Sequence, residues 1–291
     1  MRAVDHVLLI GAAGLVGSHV HAALAGRDVV ATFHRRPVAG GVFLDITDAT
    51  AVRELVAATR PDAVVLAAAA PHVERCEHEP EATRRVNVEA ATSVRDAAHE
   101  HDALFVVFSS EYVFNGTAGT YREDDARRPV NEYGRQKAAL EDLARESPRH
   151  LVLRVSGVFG VESARKNFVY QLVDRLRAGE TYDVPSDQLI TPTDAVSLGQ
   201  TLVELIDGSH LGVFHAAGPE ILLRTEFARM IAEAFGLRAD LVRPRPTAEL
   251  GLVAPRPLRP GLSDQKLRQA VGHGLERPGE ALRRLAQAGR V

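Results

Sequence analysis

Two residues near the middle of the chain could carry out acid–base chemistry together. Tyr133 and Lys137 stand four positions apart in N-E-Y-G-R-Q-K, within a pattern that predicts a helix over Tyr133–Arg145. Residues i and i+4 share one helix face, so the phenol and the ammonium can point into the same cleft. We expect the ammonium to favour the phenolate and to lower the pKa of Tyr133. Tyr133 could then give a proton to a carbonyl oxygen while a hydride arrives at the carbon.

A serine completes this candidate catalytic set. The segment S-S-E-Y-V-F-N-G follows a predicted strand over Leu104–Phe108 and places Ser109 and Ser110 at its carboxyl end. Ligands bind at that edge of open α/β sheets, so Ser110 could hydrogen-bond the oxygen that Tyr133 protonates. Lys137 could also hold the ribose hydroxyls of a nicotinamide cofactor. The alternative interpretation is a surface tyrosine beside a solvated lysine.

The first predicted strand, His6–Ile10, runs into G-A-A-G-L-V-G. Glycines permit a tight strand-to-helix turn, close approach of a pyrophosphate and tight packing of helix on strand, while the helix start offers free N–H groups. This context predicts a Rossmann dinucleotide site rather than a glycine-rich turn without a ligand. The predicted contacts of this loop are Gly11, Gly14, Leu15, Val16 and Gly17.

The end of the second predicted strand bears on the choice of dinucleotide. An NAD site usually has an acidic residue here, about 20 residues after the glycines, to hold the ribose hydroxyls. In V-V-A-T-F-H-R-R this position is Phe33, followed by His34, Arg35 and Arg36. Two guanidinium groups could bind a 2′-phosphate, so NADPH is favoured over NADH. A solvated arginine pair is the alternative.

Further cofactor contacts are expected beside these elements. Asp45 and Ile46 fall where an adenine is often held, and the small side chains of Ala67, Ala68 and Ala69 leave room for the cofactor's sugars. His72 and Glu74 follow just beyond. Our hypothesis is that one of these last two residues touches the substrate.

Apolar runs and helical patterns alternate through the first half of the chain. Continuous apolar strands separated by helices predict a parallel, doubly wound α/β sheet. The predicted strands are His6–Ile10, Asp28–Phe33, Ala63–Leu66, Leu104–Phe108 and His150–Val155, and the predicted helices are Leu15–Ala25, Thr50–Thr59, Pro80–His99 and Tyr133–Arg145. We expect an NAD(P)-binding Rossmann domain in residues 1–160.

Residues 161–291 are expected to form mainly a smaller α/β substrate lobe, with a segment near 188–216 returning to the nucleotide domain. The predicted helices here are Asn167–Ala178, Asp194–Ile206, Thr225–Phe235 and Gly279–Ala288, and the predicted strands are Tyr182–Val184, Gly212–His215 and Leu241–Arg243.

Composition limits the functional classes. The chain has 291 residues, 45% of them apolar and 25% charged, with a net charge of −3 and scattered basic residues. These values exclude a disordered chain and a nucleic-acid-binding surface. The single cysteine, Cys76, excludes an intramolecular disulfide and indicates a reducing compartment. The first apolar run is too short for a signal peptide or membrane span, so we expect a cytoplasmic protein with no membrane partner.

A metal site is not expected. The chain has 12 histidines, and the densest group is His72, His78, His99 and His101. None of them falls in H-E-x-x-H or another tight ligand spacing.

Together these segments resemble the extended short-chain dehydrogenase/reductase superfamily, and within it the dTDP-4-dehydrorhamnose reductase-like group of sugar-nucleotide reductases. The likeness covers nearly the whole chain. It is carried by G-A-A-G-L-V-G, V-E-R-C-E-H-E-P-E-A-T-R-R-V-N-V, S-S-E-Y-V-F-N-G, P-V-N-E-Y-G-R-Q-K, P-T-D-A-V and A-P-R-P-L-R-P-G-L-S-D-Q-K-L.

The resemblance implies NAD(P)H-dependent reduction of a keto group on a nucleotide-linked deoxysugar, with Ser110, Tyr133 and Lys137 catalytic. It also implies a cofactor-supporting role for Asn87. The substrate contacts that it implies are Glu111, Tyr112 and Arg256. Dimers are common among similar proteins, so a homodimer is one possible assembly, and the oligomeric state is left open.

The sequence departs from this group near the substrate. Glu111 stands where Asp is common, and Gly157 stands where the group has a bulky aromatic residue. A threonine often found before the V-D motif is replaced around Pro71 and His72. The sugar, its nucleotide and the stereochemistry of reduction are therefore left open.

Three relatives of this group remain as alternatives. Sugar-nucleotide 4,6-dehydratases place Asp and Glu after the catalytic hydroxyl residue, whereas Glu111 and Tyr112 follow Ser110 here. Epimerases usually retain NAD through an acidic residue after the second strand, which this chain lacks. A non-catalytic, NADP-binding regulatory subunit similar to the β subunit of methionine adenosyltransferase would keep the fold and act through a partner.

Overall fold

The fold is seen in a computed structural model that describes residues 4–289 and residue 291. The strands, numbered along the chain, are β1 His6–Ile10, β2 Asp28–Phe33, β3 Val42–Phe43, β4 Ala63–Leu66, β5 Leu104–Ser110, β6 Gly119–Tyr121, β7 His150–Val155, β8 Val158–Phe159, β9 Tyr182–Pro185, β10 Leu189–Ile190, β11 Thr193–Asp194, β12 Gly212–His215, β13 Leu222–Leu223, β14 Val242–Arg245 and β15 Pro260–Leu262.

The α-helices are numbered in the same way. They are α1 Leu15–Ala23, α2 Ala49–Thr59, α3 Val73–His78, α4 Pro80–Arg84, α5 Ala90–Glu100, α6 Glu132–Arg145, α7 Phe168–Arg177, α8 Ala195–Asp207, α9 Arg224–Ala234, α10 Gln265–Val271 and α11 Pro278–Gln287.

A parallel sheet of seven strands, within the described residues, forms the centre of the molecule. Its order is β12-β7-β5-β4-β1-β2-β3, so the chain runs outward from β1 in both directions. Strands β4 and β5 are buried along their whole length, as expected when helices cover both faces of a parallel sheet. Separate apolar clusters line the two faces. The order reverses beside β1, which places a ligand crevice at the carboxyl ends of β1 and β4.

The later part of the chain builds a second apolar core. Helices α7, α9 and α11 pack around a cluster that includes Phe159, Tyr170 and Phe227. Strand β12 lies apart from this core, because it extends the main sheet next to β7. Helix α8 likewise packs against α1.

The sheet confirms the predicted doubly wound α/β fold. The predicted helical stretch over Pro80–His99 is confirmed, but it contains a π-helical turn over Arg85–Glu89, between α4 and α5, that the sequence pattern did not predict. Sequence reasoning also missed β3, which is only two residues long and exposed. No helix in the described part of the chain is long and apolar enough to cross a membrane.

Candidate active site

The end of β5 presents a cluster of polar side chains. Ser110 is the last residue of β5, and its Oγ accepts a hydrogen bond from the backbone N–H of Tyr112 at 3.2 Å. This contact caps the single 3₁₀ turn over Glu111–Val113. The same hydroxyl lies 2.9 Å from Glu111 Oε2. Both Ser110 and Glu111 are buried, so the sheet edge holds a carboxyl group directly against the candidate catalytic serine.

Helix α6 is held against this turn at its first residues. The side chain of Asn131 caps the helix by accepting from the N–H of Gly134 at 2.8 Å. A Cβ added to Gly134 would lie 2.2 Å from the carbonyl oxygen of Tyr112, so glycine is required for this approach. The Tyr133 ring consequently lies edge-to-face with that of Tyr112, with centroids 5.6 Å apart. Local packing thus brings Tyr133 to the end of β5.

Lys137 lies one helical turn further along and is buried. Its Nζ donates to the carbonyl oxygen of Phe108 at 2.8 Å and lies 5.8 Å from the centroid of the Tyr133 ring. Burial lowers the pKa of Lys137 to about 8, while Cys76 and the Glu141 carboxylate oppose that shift. The structure therefore brings Ser110, Tyr133 and Lys137 together, as predicted from their spacing.

The expected effect on the tyrosine is wrong for the protein alone. Burial and then the nearby Glu111 carboxylate raise the pKa of Tyr133, and a hydrogen bond with Ser110 opposes this only in part. The reason is that Lys137 is tied to Phe108 while the phenol lies in a poorly solvated place beside a carboxyl group. Tyr133 consequently keeps its proton at neutral pH, as a proton donor must.

Asn87 ties three parts of the site together. Its side chain accepts from the N–H of Ala70 at 2.7 Å and donates to the Ala70 carbonyl at 3.1 Å and to Gln136 Oε1 at 2.7 Å. Ala70 follows β4, and Gln136 belongs to α6. Asn87 is part of the π-helical turn that the sequence pattern did not predict, and such turns are frequent at functional sites.

The glycine loop has the shape that a dinucleotide needs. Gly11 has φ of 93°, and a Cβ there would lie 2.7 Å from the backbone nitrogen of Ala68. A Cβ at Gly17 would lie 2.1 Å from the carbonyl oxygen of Gly11. Gly14 occupies the N-cap position of α1, with Leu15 and Val16 in its first turn. The loop therefore sits directly beside the end of β4 and fits a pyrophosphate at the helix start.

A small cavity of about 30 Å³ lies between the end of β4 and Lys137. Its lining comes from the end of β4, the π-helical turn, β5 and α6, and consists of Leu66, Ala67, Ala68, Ala69, Asn87, Phe108, Lys137 and Leu140. Four residues predicted for the cofactor, Ala67, Ala68, Ala69 and Asn87, thus line the same space as Lys137.

The residues proposed for the adenosine end form a looser, exposed group. His34, Arg35 and Arg36 are exposed after β2, and Arg36 Nη1 donates to Ser163 Oγ at 2.8 Å. His34 Nε2 lies 3.8 Å from a carboxylate oxygen of Asp45. A hydrogen bond with Thr47 lowers the pKa of Asp45, and Ile46 is buried. Sequence reasoning missed Phe43, whose ring centroid lies 5.8 Å from that of His34.

Two of the predicted substrate residues, Glu74 and Arg256, form an ion pair whose charges act on Tyr112. Arg256 Nη2 lies 2.6 Å from Glu74 Oε1, and the other Glu74 oxygen accepts from the N–H of Val253 at 3.0 Å. This pair joins α3 to the irregular segment before β15. Burial raises the pKa of Tyr112, and the charges of Arg256, Glu111, Arg224 and Glu74 also act on it. His72 is exposed at the start of α3.

Arg224, at the start of α9, was not predicted for the site. Nothing near it in the sequence resembles a binding motif, so only the fold brings its charge towards Tyr112 and Glu111. Within residues 4–289 and 291, no group of three or more His, Cys, Asp or Glu side chains is arranged to hold a metal ion.

Comparison with known proteins places this geometry in a family. The family model described as RmlD substrate binding domain matches residues 5–290. The probable low-salt glycan biosynthesis reductase Agl14 of Haloferax volcanii is 32% identical over 92% of each chain. The β subunit of methionine adenosyltransferase 2 from Xenopus tropicalis is 30% identical over 93% of this chain and 84% of its own.

A solved structure agrees with these sequence matches. The dTDP-4-dehydrorhamnose reductase of Bacillus anthracis, determined in complex with NADP, superposes with a TM-score of 0.90 at 27% identity, covering 98% of this chain and 99% of its own. The resemblance inferred from the sequence is therefore confirmed. The chain belongs to the RmlD-like, sugar-nucleotide reductase group of the extended short-chain dehydrogenase/reductases and is an NAD(P)-dependent oxidoreductase.

Proposed function

We propose that the protein reduces a keto group on a nucleotide-linked deoxysugar, with NADPH as the hydride donor. The observation that carries this proposal is the cluster of Ser110, Tyr133 and Lys137 at the carboxyl end of β5, on the same sheet edge as the glycine loop. We further propose that residues 1–160 hold the cofactor and residues 161–291 mainly the substrate, with the segment near 188–216 belonging to the nucleotide unit.

The protein's own residues would divide the work as follows. Bound NADPH would supply the hydride to the carbonyl carbon. Ser110 would hydrogen-bond the carbonyl oxygen, and Tyr133, which burial keeps protonated, would give that oxygen its proton. Lys137, with a pKa of about 8, is mostly charged at neutral pH and would hold the ribose hydroxyls of the nicotinamide cofactor. On the substrate side, Arg256 and Glu74 would border the sugar nucleotide.

The Tyr133→Phe variant tests the proposed chemistry. It should keep NADPH affinity and lose at least about a hundredfold in turnover of keto-sugar nucleotides, because a positioned acid contributes on that scale. Tyr182→Phe is the matched control, since its hydroxyl bonds Gln171 on α7 and none of the proposed catalytic residues. Full activity of Tyr133→Phe would contradict the mechanism.

The preference for NADPH is tested by calorimetry with each reduced cofactor. Replacing Arg35 and Arg36 by alanine should weaken NADPH binding by at least about tenfold and leave NADH almost unaffected, because only NADPH offers a 2′-phosphate to guanidinium groups. Arg238→Ala, at an exposed arginine paired with Asp240, is the control. Equal losses for both cofactors would contradict the preference.

A regulatory subunit is the second candidate, because the methionine adenosyltransferase β subunit is 30% identical to this chain. Such a subunit would have the same fold as a reductase and would differ only in catalytic activity. NADPH binding without turnover of any keto-sugar nucleotide in a broad panel would favour it over a reductase.

A further inference from the structure

Glu111 is a buried carboxyl group that the proposed chemistry leaves without a task. Only 6% of its surface is exposed, and in the described part of the chain it forms no ion pair with a cation. Its contacts are the hydroxyls of Ser110 and Ser156 and its own backbone N–H. An unpaired carboxylate in such a place is costly, so the group takes a proton more readily than an exposed glutamate.

One hydroxyl group, that of Ser110, lies between this carboxyl group and the proposed proton donor. Ser110 Oγ lies 2.9 Å from Glu111 Oε2, and the same hydroxyl is close enough to the Tyr133 phenol to act against the rise of its pKa. Lys137 is not on this path, because its Nζ donates to the Phe108 carbonyl. The path Tyr133–Ser110–Glu111 therefore runs from the reacting end of the cleft into the protein.

We propose that Glu111 is a proton-relay residue, which returns a proton to Tyr133 through Ser110 as the carbonyl is reduced. Reduction of a carbonyl adds one hydride and one proton, so every turnover must draw a proton from solvent. A buried carboxyl group within one hydroxyl of the donor can hold that proton in advance. This inference rests on the proposed reductase function.

The step balances in protons and electrons. Tyr133 gives its hydroxyl proton to the carbonyl oxygen while the hydride, with its electron pair, comes from the reduced nicotinamide. The Ser110 hydroxyl gives its proton to Tyr133, and the protonated Glu111 carboxyl gives its proton to Ser110. Glu111 is left as a carboxylate and takes a proton from water after product release.

The surroundings of Glu111 suit a group that both holds and releases a proton. Burial raises its pKa to about 7, while hydrogen bonds from Ser110, Ser156 and its own backbone N–H limit the shift. The other charged or titratable groups that act here are Arg224 at the start of α9, Tyr133 on α6 and the neighbouring Tyr112. Either protonation state is therefore accessible near neutral pH.

The Glu111→Gln variant tests the relay, because glutamine keeps the size and a hydrogen-bonding oxygen but cannot transfer a proton. In wild-type protein, kcat for reduction should fall as pH rises through about 7. In Glu111→Gln, kcat should be at least about tenfold lower, KM should change little, and this pH dependence should disappear. Glu111→Asp should recover part of kcat together with the pH dependence.

Glu123→Gln is the matched control, since Glu123 is a partly buried glutamate that accepts from the N–H of His215 outside the cleft. Its pH profile should match that of wild type. A wild-type profile without a fall near pH 7 would overturn the relay even if Glu111→Gln failed to fold, and so would an unchanged profile in folded Glu111→Gln. Absence of reduction by wild-type protein would instead refute the proposed function.

Discussion

Glu141 and Glu111 are both buried, yet the protein surrounds their carboxyl groups in opposite ways. Arg154 donates to both oxygens of Glu141 at 2.8 Å, and Ser109 donates to one of them at 2.6 Å. Arg154 is itself fully buried. The two charges neutralise each other in direct contact. Because Glu141 is on α6 and Arg154 on β7, the pair holds the helix against the sheet.

Around Glu111 there is no such compensation. Its nearest partners are hydroxyl groups and a backbone N–H, and the charge of Arg224 acts on it only weakly. A carboxyl group that is paired on all sides stays charged and fixes a structure, whereas one left with neutral donors can change its protonation state. Glu141 thus belongs to a supporting region of the molecule and Glu111 to a reactive one. The two regions are nevertheless adjacent, because Ser109, which bonds Glu141, and Ser110, which bonds Glu111, are neighbours in the chain.

The largest effect is expected from breaking the compensated pair. Glu141→Gln should lower the free energy of unfolding by about 3–5 kcal/mol, because Arg154 would keep a buried charge without its partner. Urea unfolding at pH 7 measures this. Glu180→Gln, which removes an exposed partner of Arg175, should cost less than about 1 kcal/mol. Equal losses in the two variants would mean that the buried pair has no special structural weight.

Whereas Glu141→Gln should lower the free energy of unfolding, Glu111→Gln should raise it relative to wild type as pH increases. Its pKa is about 7 in the folded protein and 4.5 as the ordinary value, so between these pH values the folded state binds more protons than the unfolded state. The contribution of Glu111 to stability therefore falls as pH rises from about 4.5 to 7, by about 3 kcal/mol in total. Glu111→Gln lacks this titration, so its stability relative to wild type should increase over that window.

Urea unfolding of both proteins from pH 4 to pH 8 checks this change. The difference between the two curves isolates Glu111 from the other titrating groups. A constant difference across the window would show that folding does not raise the pKa of Glu111, and the proposed reactive character of its surroundings would be lost.

How far the sequence alone predicted this arrangement depends on the distance along the chain. Tyr133 and Lys137 were recognised because one helical turn fixes their relation, and Gly11 and Gly17 because their loop is local. The pairing of Arg256 with Glu74 joins residues 182 positions apart, which no local pattern specifies.

The electrostatic error has the same origin. Spacing alone suggested that Lys137 would lower the pKa of Tyr133, but the direction is set by burial and by Glu111, which come from a different element. Glu111 was predicted only as a substrate contact, because its lack of a cation partner becomes visible only when the surrounding elements are in place.

The two adjacent serines give the smallest and sharpest test of the comparison. Ser109 donates to Glu141 and Ser110 to Glu111, so alanine at each position should affect a different property. Ser109→Ala should cost about 1–3 kcal/mol of unfolding free energy through loss of a hydrogen bond to a charged group. Its kcat should stay within a few-fold of wild type.

Ser110→Ala should show a larger loss of kcat than of stability, since it removes both the carbonyl contact and the path to Glu111. Urea unfolding and steady-state kinetics on the same two preparations measure both properties. If Ser109→Ala lost as much activity as Ser110→Ala, the supporting and reactive regions would not be separable at this strand end.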